Sequence, residues 1–205
     1  MTRTTRFWLV TLIFALLATS TSAQAWRPKV PDLESEMAGA LEAAPETIRE
    51  QAGVYVLTAT GYELARPSRN GFHCIVGRSQ KDAWEPQCLD AEGSATLLQE
   101  ILLRGELMMA GKEAAEIKAE LAAAWARGDL RSPSRPGINY MLSPNNRVPV
   151  APDRVISYGA HVMFYAPYMT NEDIGGDPRG KSPVFMVNSG RPGGYVIVPV
   201  GEHGG

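Results

Sequence analysis

The stretch GFHCIVGRSQKDAWEPQCLD, residues 71–90, decides the fold class. Its first half alternates as a strand does, with Phe72, Cys74 and Val76 on one face and His73 and Ile75 on the other. RSQKD then reads as a polar loop, and AWEPQCL as a second extended run. A hairpin turning near Lys81 sets Cys74 opposite Cys88. Cross-strand neighbours stand near the Cβ separation that a disulfide needs, ~3.5–4.5 Å. These are the chain's only two cysteines, and they are too far apart for a C-x-x-C redox motif. A structural disulfide is the expectation, worth roughly 3 kcal/mol for a loop this short in the chain-entropy model.

Outward from this hairpin, the N-terminal side begins with WRPKVP, an extended lead-in whose prolines resist helix. Asp32 is placed to cap a helix running to about Ala43, with Leu33, Met37 and Leu41 on one face, and Pro45 stops it. A turn over residues 46–51 then leads into the strand VYVLTA. On the C-terminal side, Ser94 is expected to cap SATLLQEILLRGELMMA, whose Leu97, Leu98, Ile101, Leu102 and Met108 form a broad apolar stripe ending at Gly111. KEAAEIKAELAAAWA follows as a helix strong on propensity alone, with Gly128 beyond it. Two apolar stripes joined by a short turn predict a helical hairpin. The remaining runs INYML, RVISY, HVMFYAP, PVFMV and YVIVPV are extended. Strands, then helices, then strands predict an α+β fold: a mainly antiparallel sheet with a central helical hairpin packed on it and one disulfide.

Residues 1–25 read as a cleavable secretory signal peptide. Arg3 and Arg6 precede the uncharged 12-residue core FWLVTLIFALLA, and TSTSAQA supplies small residues for cleavage after Ala25 or Ala23. That core is too short to span ~30 Å of hydrocarbon. Residues 26–205 are then one globular domain, periplasmic or secreted, with no stable membrane insertion after cleavage. Two of the 20 basic residues and none of the 22 acidic ones lie in residues 1–25, leaving 18 against 22. A mildly acidic surface excludes nucleic acid as a partner.

Residues 175–182, GGDPRGKS, satisfy the phosphate-loop pattern G-x-x-x-x-G-K-[ST]. No buried strand feeds them, and the β-rich VFMV follows rather than a helix, so the match is coincidence. Arg127, Arg131 and Arg135 form a modest basic cluster read as solvated surface. The three histidines, His73, His161 and His203, lack metal-ligand spacing, and no cofactor or metal is expected. HVMFYAPYMTNEDIGGD holds the candidate catalytic residues: a strand with His161, Met163 and Tyr165 on one face, and then Thr170 and Asp173 in a capping-box-like pair. A carboxylate, Glu172 or Asp173, beside His161 would allow general base chemistry. Packing and backbone hydrogen bonds explain the same residues more simply.

GFHCIV, QCLDAEG, PGINYMLS, HVMFYAPYMTNEDIG and YVIVPVGEH resemble, from about residue 45 onward, a group of exported bacterial proteins of unknown function. The resemblance implies export and a single domain, and carries no activity or site. The reading is a non-catalytic binding or accessory module of the bacterial envelope, its partner an unknown small molecule or an envelope protein. The alternative is a small extracytoplasmic hydrolase using His161 with a nearby carboxylate.

Overall fold

A computed structural model describes residues 26–151, 154–177 and 182–200. The expected signal peptide and His203 lie outside the described residues. The chain is α+β. Helices α1 (Leu33–Leu41) and α2 (Glu46–Arg49) come first, then strands β1 (Gly53–Leu57), β2 (Tyr62–Arg66), β3 (His73–Gly77) and β4 (Glu85–Leu89). Helices α3 (Ala91–Ala95), α4 (Leu97–Met109) and α5 (Ala114–Arg127) follow. Strands β5 (Ile138–Met141), β6 (Val148–Ala151), β7 (Arg154–Ile156), β8 (His161–Tyr165), β9 (Phe185–Val187) and β10 (Tyr195–Pro199) complete the described chain.

Eight strands make one mixed sheet in the order β2-β1-β3-β4-β5-β8-β10-β9, and β6 pairs with β7 separately. The β1–β3 pairing is parallel, where an antiparallel sheet was expected to dominate, and the other pairings of the large sheet are antiparallel. The cause is β2, a strand the residue pattern did not announce. It folds back on the outer edge of β1, so the chain returns over residues 67–72 to run beside β1 in the same direction. Asn70 holds that return. Its Nδ2 donates to the Ile48 carbonyl at 2.8 Å and its Oδ1 accepts from the Phe72 N–H at 3.0 Å.

The cysteine hairpin forms in the expected register, with Cys74 directly opposite Cys88 and the two joined as a disulfide. Both are fully buried beneath α1, among Ala40, Ala43, Val54, Val56 and Val76. The opposite face of the sheet carries Ile75, Leu89 and Tyr165, which pack against Leu97 and Leu98 of α4. A third cluster, Met108, Ile117, Leu121, Ala124 and Leu130, joins α4 to α5. Gly128 ends α5 in the left-handed conformation that glycine adopts without penalty (φ 80°).

Two local expectations are corrected. Asp32 does cap α1, accepting from the Ser35 N–H at 3.1 Å. Its buried face, however, carries Glu36, Gly39 and Ala40, while Leu33 is 55 % exposed. Met37 and Leu41 of the expected row still pack against the core, but the row through Glu36 is buried deeper because Glu36 finds a buried cation, described below. Ser94 caps no long helix: Asp90 caps the short α3, accepting from the Gly93 N–H at 2.9 Å, and the backbone breaks at Thr96 before α4. Ser94 lies inside α3 and donates to the Leu89 carbonyl at 3.2 Å.

Candidate functional site

The strand HVMFY forms as β8 with its expected alternation. Asn139 stands opposite Met163, and Met141 opposite His161, on β5. Ile197 of β10 faces Met163 from the other side. These residues lie on the face of the sheet that α4 crosses. Where α4 leaves the sheet surface, a cleft of about 340 Å³ opens. Its floor is Met141, Met163 and Ile197, and α4 contributes Leu97, Glu100, Ile101 and Arg104 along one helical stripe. The far end is polar, with Arg78, Gln87, Asn146, Tyr158 and His161.

Each polar wall has a structural reason. Arg78 leaves the end of β3 only 6 % exposed, and its guanidinium makes a bidentate pair with the fully buried Glu36 of α1 at 2.7 and 2.8 Å. It also donates to the Val76 carbonyl at 2.9 Å and lies 5.2 Å from the centre of the Trp84 ring. The Tyr62 hydroxyl, 3.4 Å from Arg78, donates to the same Val76 carbonyl at 2.7 Å. Burial pushes the Tyr62 phenol up to about 12, against the pull of Arg78. A guanidinium held this way is an immobile wall.

Asn146 is 2 % exposed and donates from Nδ2 to the carbonyls of Met141 (2.9 Å) and Ser143 (2.8 Å), while its Oδ1 has no partner among the described residues. Beneath the cleft, Asn139 donates to Gln87 Oε1 at 3.0 Å, and its own buried Oδ1 is likewise without a partner. Buried acceptors without donors cost about 1–3 kcal/mol each.

His161 lines the cleft and is 3 % exposed. Its Nδ1 lies 3.0 Å from the Gly159 carbonyl, and the Tyr158 ring meets it edge-on at 6.4 Å. Burial lowers its pKa below the ordinary imidazole value, with the Gly159 carbonyl opposing weakly. The ring is therefore neutral at pH 7, donating to Gly159 and keeping Nε2 as an acceptor. Its oriented partner is a backbone carbonyl, and no carboxylate bonds it among the described residues.

The other two sequence candidates lie elsewhere. Tyr165 shares the face of His161 two pleat repeats further on, beyond Met163, but it does not line the cleft. Its hydroxyl is 3.0 Å from Asp90 Oδ1 and 2.8 Å from the Ile138 carbonyl. Burial and the Asp90 charge raise its pKa well above the usual phenol value, so it stays protonated and acts as a tie between strand and helix. Asp173 sits on an exposed turn, where its Oδ2 accepts from the Thr170 N–H and Oγ1, both at 2.8 Å. These capping-box-like bonds close a turn, with no helix following. The phosphate-loop match fares the same way: residues 178–181 lie outside the described residues, and Ser182 leads within three residues into β9. Of the basic cluster, Arg127 pairs with Asp129 and Arg135 with Glu92.

Pattern reading passed over Arg78, Gln87, Asn139, Asn146 and Tyr195. The polar run RSQKD, the turn SPNNRVP and the strand YVIVPV each explain one or more of them as local structure. Only the tertiary fold brings them to one place.

No family model, curated protein or solved structure matches this chain. Its function is therefore argued from its own residues. Among the described residues no group of three or more His, Cys, Asp or Glu side chains could hold a metal ion. No described helix is long and apolar enough to cross a membrane.

Proposed function

We propose that this protein is an exported, non-catalytic binding module of the bacterial envelope that holds a small molecule between α4 and the sheet. The observation that carries this reading is the cleft itself. Its volume, about 340 Å³, falls within the range of small-molecule sites. Its floor is apolar, and a few fixed polar groups stand at one end, the usual division between affinity and orientation. Helix α4 supplies its wall through Leu97, Glu100, Ile101 and Arg104.

Two features favour binding over chemistry. The polar groups are committed to structural partners: Arg78 to Glu36, Glu100 to Arg104 and to the Trp125 indole N–H, His161 to Gly159. A hydrolase would need an oriented base beside a nucleophile, and a carbonyl is the group that orients His161. The disulfide is of the kind that persists in oxidising compartments, which supports export and periplasmic or secreted residence.

Thermal unfolding of the oxidised protein against metals, sugars, peptides and acyl compounds tests the reading. A ligand at a hundredfold excess over Kd stabilises the folded state by about 2.7 kcal/mol. Ile101→Trp, which fills the cleft from α4, is expected to abolish the shift. A flat response across the panel, or a shift untouched by Ile101→Trp, would overturn the assignment.

A further inference from the structure

The cleft does not end at α4. A second cavity of about 500 Å³ adjoins it across Glu100, Arg104, Asn188 and Gly193, which line both. Its remaining walls come from Lys118, Leu121 and Trp125 of α5 and from Arg191 of the β9–β10 loop. That loop is built to stay in place. Asn188 Nδ2 donates to the Gly193 carbonyl at 3.1 Å, and Gly190 N–H to the Met169 carbonyl at 2.8 Å. Asn188 and Gly190 adopt positive φ, 53° and 71°, as the tight turn requires.

The charge of the second cavity is one-sided. Glu100 is already balanced, pairing with Arg104 at 3.0 Å and accepting the Trp125 indole N–H at 2.9 Å. Lys118 and Arg191 have no acidic partner among the described residues. Two uncompensated cations thus stand at an outer mouth on α5 and the loop. Past Gly193 the walls become Leu97, Met163 and Ile197. Methionine side chains are unbranched and adaptable, and conform to a flexible chain laid across them.

We infer that the adjoining cavities hold a straight-chain amphipathic carboxylate, its head between Lys118 and Arg191 and its chain laid over Met141, Met163 and Ile197. This rests on the reading of the α4 cleft as a ligand site. The head keeps its charge paired at an exposed mouth, where no ion need be fully desolvated. The chain supplies affinity by leaving water for the apolar floor.

Titration calorimetry of the full oxidised protein with decanoate, decanol and decylammonium, each below its micelle threshold, tests the inference. Decanoate is expected to bind, with decanol and decylammonium weaker by about tenfold or more. Both cations are exposed, so Lys118→Ala/Arg191→Ala is expected to fold normally and to weaken decanoate by about tenfold while leaving decanol unchanged. Equal binding of all three probes, or decanoate binding indifferent to the double substitution, would overturn the carboxylate assignment. If decanoate is inert but another compound shifts the unfolding temperature and Ile101→Trp removes that shift, the cleft reading stands and this inference falls. If nothing binds, both fall.

Discussion

Glu36 and Arg78, 42 residues apart in the chain, meet in a two-bonded ion pair beneath the end of the sheet, both almost wholly shielded from water. Removing one partner leaves the other charge buried and alone, which costs about 3–5 kcal/mol. Glu36→Met and Arg78→Met are each expected to lower stability by that order in denaturant unfolding. The double variant Glu36→Met/Arg78→Met should lose less than the sum, because no orphan charge remains. Additive losses would show that the pair does not act as a unit.

Tyr165 offers a cleaner separation of structure from function. Tyr165→Phe removes the donor shared by Asp90 and the Ile138 carbonyl, and is expected to cost about 1–3 kcal/mol. Ligand affinity should be unchanged, since the ring does not line the cleft. A loss of binding without a loss of stability would contradict its role as a tie.

Gly105 of α4 lies against the face of the Tyr62 ring, and an added methyl would fall inside that ring's van der Waals envelope. Glycine to alanine inside a helix ordinarily gains about 1 kcal/mol. Here Gly105→Ala is expected to destabilise, because Tyr62 is held by its bond to Val76 and its neighbour Arg78. A raised melting temperature would show that the ring can yield.

The two described histidines set a pH dependence. Burial lowers the pKa of both His73 and His161 below the ordinary 6.5, with the Gly71 and Gly159 carbonyls opposing. The unfolded chain therefore takes up protons near pH 6.5 that the folded rings refuse. Stability is complete above that value and falls as the pH drops through 6.5 toward the folded values. Asp32, Glu92, Glu116 and Asp173 have lowered pKa values, chiefly through backbone N–H donors, so their contribution is lost only at more acid pH. Melting temperature is expected to decline between about pH 7 and 5. His161→Gln should flatten part of that decline, and an unchanged slope would count against burial of a neutral His161.

Local chemistry was readable where a residue's partner lies nearby in the chain. The Cys74–Cys88 register follows from a symmetric loop, the Asp32 cap from its own first turn, and the end of α5 from Gly128. The parallel β1–β3 pairing was not readable, because it depends on which edge of β1 the chain takes after β2. Glu36 drew no notice in the sequence because the guanidinium that keeps it buried arrives 42 positions later. The cleft was half legible. His161 and Met163 lie on one strand face, but Arg78, Asn146 and Tyr195 carry no pattern that points to a shared site.

The join between β4 and β5 pairs only Cys88 with Tyr140 and Leu89 with Asn139, whereas β3 and β4 are paired from His73 to Gly77. In mechanical terms this join is the spine of an open book, and the cleft lies in its gutter, with Gln87 on one leaf and His161 and Met163 on the other. Opening the gutter bends the spine, and the spine is stiffened by the Asn139–Gln87 bond and by the Asp90 N–H, which donates to the Ile138 carbonyl at 3.1 Å. The gape of the site is thus governed by Asn139 and Asp90, neither of which lines it.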